Sequence, residues 1–309
     1  MRTHRMSTKL LLAFLNLARV RIGVMVLVAC AIGFILSYQG EFPLYRFLWT
    51  LLGTGLLSSG SCALNCYLER EADALMPRTS GRPIPAGVIS PAVALAYGVG
   101  LILTGALLLW CHANLLSAGL GLAAVFIYLV LYTPAKRVTW LNTSIGALPG
   151  AIPPLIGWAS ATGQLEAGGW ILFAMLVLWQ HTHFFPIAWL YKSDYEKGGF
   201  RMLPVLEPKG EKTFALTVVT AIALLPVSLL LCSTDTGLAY KFGATLSGAM
   251  LIAGGIRLAR HPSNAAARNV LLLSLLYLPV ILAAVIIDRY GMQFGTNLHA
   301  WLEVMNRWT

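Results

Sequence analysis

Nine apolar runs of about 20 residues recur along the 309-residue chain, near 22–38, 45–68, 90–112, 115–133, 141–161, 168–190, 213–233, 238–257 and 268–288. A helix needs about 20 residues to cross a hydrocarbon layer, and in lipid the backbone must close its own hydrogen bonds. The runs therefore predict an all-α polytopic membrane protein, a bundle of nine transmembrane helices forming one domain over residues 1–309. Composition excludes an ordinary soluble chain, since 58% of residues are hydrophobic and 11% charged, with a mean hydropathy of +0.73. A removable signal peptide is not expected. Met1 to Lys9 are basic and polar, and the apolar stretch that follows carries Arg19 and Arg21 and lacks a small-residue cleavage site.

Lys and Arg divide unevenly between the two sets of connections. Eighteen of the twenty-two fall on the N-terminal side, and only Arg46, Lys241, Arg289 and Arg307 on the other. By the positive-inside rule the N-terminus is cytoplasmic and the C-terminus outside, the parity that nine spans require, in a multi-pass protein of the cell's inner (cytoplasmic) membrane. The same bias accounts for the net charge of +10. No basic run is long enough, or interleaved with aromatics, to read as a nucleic-acid surface, so no nucleic-acid partner is expected. Cys30, Cys62, Cys66, Cys111 and Cys232 sit in apolar segments without a C-x-x-C pair and read as small core residues. His4, His112, His261 and His299 lie at the chain start or at span ends and loops, and carry no assigned role.

Seven of the twelve acids lie on the inside, all in two long Gly- and Pro-rich loops, about 69–89 and 191–212. Long inside loops of mixed charge are candidate caps of an active site. They follow the second and sixth spans, which suggests a parallel internal repeat, although residue-level similarity does not itself support one.

In the first loop region Asn65, Glu69 and Asp73 are spaced by four, so a helix places all three on one face over roughly 12 Å. Carboxylate and amide oxygens suit Mg²⁺, which is typically held by few protein ligands plus substrate phosphates. Arg78 and Arg82 follow within ten residues, and a guanidinium fork fits phosphate oxygens. Together they imply a metal-bound diphosphate; the alternative is a solvated helix end with Glu69 and Arg70 in water. In the second region His181 and His183 lie inside an apolar run, and Asp194 follows His183 by eleven residues. A continuous helix would set His183 and Asp194 on one face about 16 Å apart, unless Pro186 kinks it. Asp194 could complete the metal site, with Lys192 and Lys197 adding positive charge for phosphates. The two histidines either line a substrate cavity or are satisfied by hydrogen bonds inside the bundle. In the fifth span, Gly146, Gly150, Pro149, Pro153 and Pro154 predict a poor regular helix, whose backbone either lines a cavity or packs closely with kinks.

The stretches Asn65-x3-Glu69-Arg70-x2-Asp73, Arg78-Thr79-x2-Arg82-Pro83, Tyr132-Thr133-Pro134-x-Lys136-Arg137, Asn142-x3-Gly146-Ala147, Pro153-Pro154-Leu155-Ile156-Gly157-Trp158, and Asp194-Tyr195 with Met202-Leu203-Pro204 resemble the UbiA-type intramembrane prenyltransferases. Within that superfamily they are most similar to the protohaem IX farnesyltransferase (haem O synthase) branch, over nearly the whole chain. The resemblance implies nine helices with acid-rich motifs on the second and sixth. It implies transfer of farnesyl from farnesyl diphosphate to the 2-vinyl group of haem B, giving haem O and diphosphate. It further implies Mg²⁺ on Glu69, Asp73 and Asp194 beside Asn65, with Arg70, Arg78, Arg82, Lys136, Arg137 and Lys192 on the diphosphate. His183, His181, Tyr132 and Trp179 fall at the acceptor, and Tyr67, Tyr132, Trp179 and Phe184 are aromatic candidates to face the prenyl cation. Beyond the two substrates, membrane lipid and a haem A synthase or oxidase assembly factors are the implied partners.

Two features depart from the family pattern, and a third separates its branches. Glu69 stands where Asp is usual, Thr182-His183-Phe184 replaces Pro-His-Phe and is preceded by an additional His181, and Gly198 stands four residues after Asp194, where quinone-type relatives place another Asp. The last favours the haem branch. Two other functions remain to be weighed: prenylation of a quinone precursor such as 4-hydroxybenzoate, and proton- or metal-coupled transport, for which polar residues should lie near the bilayer midplane.

Overall fold

The computed structural model describes the backbone of residues 2–233 and 237–306 and the side chains of residues 9–231 and 237–288. Every regular element among them is helical. In chain order these are α1 (Arg2–Leu17), α2 (Val20–Ser37), α3 (Leu44–Leu68), α4 (Arg70–Leu75), α5 (Pro91–His112) and α6 (Leu115–Phe126), then a π-helical turn (Ile127–Tyr132) leading into α7 (Thr133–Val138). The chain continues with α8 (Asn142–Thr162), α9 (Ala167–Leu190), α10 (Lys192–Lys197), α11 (Leu203–Leu206) and α12 (Glu211–Leu229), which ends in a 3₁₀ turn (Leu230–Ser233), followed by α13 (Leu238–Arg260) and α14 (Asn264–Asn306).

Eight segments are long and apolar enough to cross a membrane: α2, α3, α5, the run from α6 through α7, α9, α12, α13 and residues 264–288 of α14. Their limits follow the apolar runs closely, because the same hydrocarbon thickness sets both. The remaining expected span, α8, has the length at 21 residues but is not among the eight. Nearly all of it from Gly146 to Ser160 is buried, so its surroundings are protein rather than lipid, and it can carry Asn142, Thr143 and Ser160 inside the bundle. Leu103, Leu107, Leu246, Leu272 and Leu276 are exposed instead, as side chains facing lipid should be.

Sequence reading does not anticipate α1, which turns Ala13 and Leu17 onto Ala63, Cys66 and Ala94 and leaves Leu10, Leu11, Leu12 and Leu15 exposed. Such a two-faced helix suits a membrane surface. The chain then reverses into α2 at Arg19, the one non-glycine residue of positive φ (47°) among the described residues.

Expectation and structure part over α8. It is an unbroken α-helix through Pro149, Pro153 and Pro154, and its glycines serve close approach. A Cβ on Gly157 would collide with the Cys30 carbonyl oxygen, and one on Gly33 with that of Pro154, so α2 and α8 meet backbone to backbone, as small residues allow in membranes. Neighbour relations also recur with a shift of four spans: α2 packs on α3 as α8 does on α9, α3 on α5 as α9 on α12, and α3 on α8 as α9 on α14. The two acid-bearing loops thus leave equivalent helices. Of the cysteines, Cys30, Cys62 and Cys66 are buried as expected, but Cys111 is exposed at the end of α5. Cys232, His4, His299, Arg2, Arg5, Arg289 and Arg307 lie outside the described side chains.

Candidate active site

α3 ends at Leu68, and Glu69, with φ −95° and ψ 7°, joins it to α4. The hydrogen-bond register nevertheless passes through the joint: Glu69 N donates to Asn65 O at 2.9 Å and Asp73 N to Glu69 O at 2.8 Å. Asn65, Glu69 and Asp73 therefore keep the single face that their spacing predicts. All three are buried, so the solvated-end reading describes only Arg70 and Glu71, which pair with each other near the surface.

Each acid of the site, Glu69 and Asp73 buried and Asp194 half-buried, is matched by a cation from elsewhere in the chain. Lys136 Nζ donates to Glu69 Oε1 at 2.7 Å, Arg82 Nη1 lies 2.7 and 2.6 Å from the two Asp73 oxygens, and Arg78 Nε lies 3.7 Å from Asp194 Oδ2. Pairing is what makes such charges tolerable away from water. Asn65 accepts from Arg19 Nη2 at 3.1 Å and donates to Thr133 Oγ1 at 3.1 Å.

The π-helical turn delivers Thr133 and Lys136. Pro134 has no N–H and would crowd a regular helical carbonyl; the wider turn precedes it, and Thr133 Oγ1 closes the gap by donating to Tyr128 O, five residues back, at 2.8 Å. The Tyr132 ring lies against Gly146, where a Cβ would come within 2.6 Å of it, and Lys136 Nζ stands 4.5 Å from that ring's centroid. The 191–212 loop is tied to the same place, with Arg201 N donating to Lys136 O at 2.7 Å and Asn142 Nδ2 to Arg201 O at 3.1 Å.

The continuous helix assumed between His183 and Asp194 is not present. α9 runs through Pro186 but stops at Leu190, and Asp194 sits on the separate α10, so the three-turn spacing does not apply. Arg78 fastens the two loops, its guanidinium 4.7 Å from the Tyr191 ring centroid and 5.8 Å from that of Tyr195. Burial pushes the Tyr195 phenol up, against an opposing effect of Arg78, which keeps a neutral hydroxyl there. Beneath the loops Ala72, Met76, Ala188, Phe200 and Met202 form a buried cluster, and Gly198 lies so close that a Cβ would be 2.9 Å from Met76 Sδ.

Arg78, Arg82 and Lys136 thus stand among the acids. Arg70, Arg137 and Lys192 do not: Arg70 donates to Tyr67 O, Arg137 is exposed, and Lys192 stacks on Trp189 and reaches Pro208 O. Among the described residues no three His, Cys, Asp or Glu groups converge on one point. The donor set still fits Mg²⁺, which takes one or two carboxylates and completes its shell with water and substrate phosphate.

The two histidines differ in what they have left to offer. His181 Nδ1 lies 2.7 Å from Val177 O and its Nε2 2.9 Å from Ser144 Oγ, so both nitrogens are occupied in joining α9 to α8. His183 is bound through Nδ1 alone, 2.7 Å from Ser274 Oγ on α14. Trp179 stacks on His183 with centroids 5.0 Å apart, and the Phe184 ring is tilted against it at 5.5 Å. Sequence reading missed two of these partners. Arg19, an ionisable residue at the edge of an apolar span, carried a usable signal; Ser274, one serine in a leucine-rich helix, carried none.

Comparison with known proteins gives the family. Residues 26–278 match the UbiA prenyltransferase family. The chain is 44% identical over 289 residues to the protoheme IX farnesyltransferase of Solibacter usitatus (strain Ellin6076), covering 90% of this chain and 99% of that protein. It is 39% identical over 276 residues to that of Salinibacter ruber (strain DSM 13855 / M31), covering 89% and 98%. Among solved structures it resembles digeranylgeranylglyceryl phosphate synthase, with TM-score 0.75, 17% identity and coverage of 91% and 99%. It also resembles a UbiA homolog from Archaeoglobus fulgidus bound to GPP and Mg²⁺, with TM-score 0.63, 18% identity and coverage of 88% and 99%. On the extent of the family match and the identity to these curated relatives, the chain belongs to the UbiA prenyltransferase family.

Proposed function

We propose that this membrane prenyltransferase, one domain over residues 1–309, transfers the farnesyl group of farnesyl diphosphate to the 2-vinyl group of haem B, releasing diphosphate and giving haem O. The observation that carries the reading is the interleaving of Glu69, Asp73 and Asp194 with Lys136, Arg82 and Arg78 at one end of the bundle. His183 is held deeper, on α9. A transporter would place its ionisable residues near the midplane instead. The quinone-precursor reading is disfavoured at Gly198, where a second acid has no room unless Met76 moves.

Farnesyl C1 must lose its C–O bond, and the electron pair leaves with diphosphate. Arg78, Arg82 and Lys136 donate to the departing oxygens as charge grows on them, in a site where such donors act at low dielectric. Glu69, Asp73 and Asp194 are the carboxylates of which one or two at a time would hold Mg²⁺, which supplies further charge neutralisation at the leaving group when bound; the relative bound to GPP and Mg²⁺ is consistent with that need. Tyr132, beside Lys136, offers a ring face to the allylic cation, worth about 0.5–2 kcal/mol. C1 then bonds to the terminal vinyl carbon, water adds at the inner carbon and loses a proton, and a hydroxyethylfarnesyl side chain results. Haem O stays in the bilayer, where a haem A synthase or oxidase assembly factor would receive it.

Haem extraction and mass analysis of cells expressing the protein should reveal haem O. Product formation in detergent should stop on chelation and return with Mg²⁺. Prenylated 4-hydroxybenzoate with no haem O would overturn the acceptor assignment.

The eighteen-to-four division of Lys and Arg supports an inner-membrane orientation with the N-terminus cytoplasmic and the C-terminus outside. Reporters inserted at Gly81 and Gly198 should then read cytoplasmic and one at Gly163 external. A common side for all three would contradict this orientation.

A further inference from the structure

We propose that Ser274 is a positioning residue for the acceptor: it fixes His183 as the Nδ1–H tautomer, so that Nε2 presents its lone pair to the haem iron. The inference rests on the haem reading above and adds to it a specific atom and a specific partner.

The argument is a count of protons. Ser274 Oγ has one, and Leu271 O, which can only accept, lies 2.7 Å away. With that proton committed, Ser274 Oγ must act as acceptor toward His183 Nδ1, also at 2.7 Å. Nδ1 therefore carries the hydrogen, and a neutral imidazole then has its lone pair on Nε2. Ser274 also holds the ring's surroundings, because Trp179 Nε1 donates to Ser274 O at 2.8 Å while the indole lies within 14° of parallel to the imidazole.

Nε2 of His183 has no hydrogen-bond partner among the described residues. Nor is it sealed off: it is not one of the fully enclosed, unpartnered side-chain polar atoms among the described residues. His181 offers the contrast, with Ser144 on its Nε2 and Val177 O on its Nδ1. A neutral imidazole nitrogen is a haem-iron ligand. The group bonded to the other nitrogen orients the ring and raises its basicity, and loss of such a partner typically weakens metal binding about 10–100-fold.

The test compares haem B with iron-free protoporphyrin IX as ligands of the full-length protein in detergent. The wild type should bind haem B more tightly than protoporphyrin IX and shift its Soret band as an imidazole ligand does. Ser274→Ala should lose about 10–100-fold in haem B affinity while protoporphyrin IX and farnesyl diphosphate affinities hold. Ser274→Thr, which keeps the hydroxyl, should restore the preference, and His183→Ala should abolish it. Equal losses for both porphyrins in Ser274→Ala would make Ser274 a packing residue and overturn the proposal. The wild type alone also decides, should Ser274→Ala not fold: no preference for haem B over protoporphyrin IX sinks iron ligation even if cells make haem O, whereas absence of haem O sinks the function itself.

Discussion

Asp73→Asn is expected to lower turnover at least about 100-fold, the scale on which removal of one charged or donor group from a transition-state clamp is felt. It should also destabilise the fold. Asp73 is fully buried, and both its oxygens are engaged by Arg82, so the amide leaves a guanidinium without its counter-charge. Breaking a buried pair costs about 3–5 kcal/mol; Arg82 is about a quarter exposed, at 23%, and solvent screening places the effect at or below the low end. A solvated helix end would instead lose activity with no change in stability. The double variant Asp73→Asn/Arg82→Gln removes both charges and should recover much of the thermal stability with none of the turnover. Initial rates and unfolding midpoints in the same detergent read the two effects apart. Near-normal rates with Mg²⁺ in both Asp73→Asn and Asp194→Asn would remove the metal–diphosphate role from these acids.

Gly157→Ala is expected to be the most damaging of the small substitutions, at about 3 kcal/mol, the upper range for overpacking a core. The added methyl would collide with the Cys30 carbonyl oxygen and stand 2.8 Å from Phe34 N. Both atoms are α2 backbone and cannot rotate away, so the two helices must separate. Gly100→Ala is the control: nothing lies within 4 Å of its Cβ position, and removing a mid-helix glycine should leave stability unchanged or raise it by up to about 1 kcal/mol. Thermal unfolding followed by size-exclusion recovery distinguishes the two. Matching midpoints for both variants would mean that α2 and α8 are not in backbone contact.

Much of the architecture was legible because lipid makes it a local matter. A segment that must satisfy its own carbonyls and N–H groups becomes a helix wherever about 20 apolar residues allow it, and α2, α3, α5 and α9 begin and end close to where the apolar runs do. The four-residue spacing of Asn65, Glu69 and Asp73 likewise survived the joint at Glu69, because the hydrogen-bond register passes through it.

Local rules failed where a neighbour altered the balance. Three prolines argue against a regular α8 on helix propensity, yet the helix is unbroken, with α2 packed backbone to backbone against it at Gly33 and Gly157. Tyr191 breaks the chain so that Asp194 reaches Arg78 rather than continuing α9, which no periodicity announces.

What the sequence alone determined was therefore the helical class, the apolar spans and the face shared by one amide and two acids, each set by interactions within a few residues. Only the tertiary structure decided which cation meets which acid, Lys136 reaching Glu69 across 67 residues, and which histidine keeps a free nitrogen, Ser274 binding His183 across 91. Side-chain hydrogen bonds extend about 3 Å, so partners that far apart in the chain are chosen by which helices lie side by side, and that choice is made by packing.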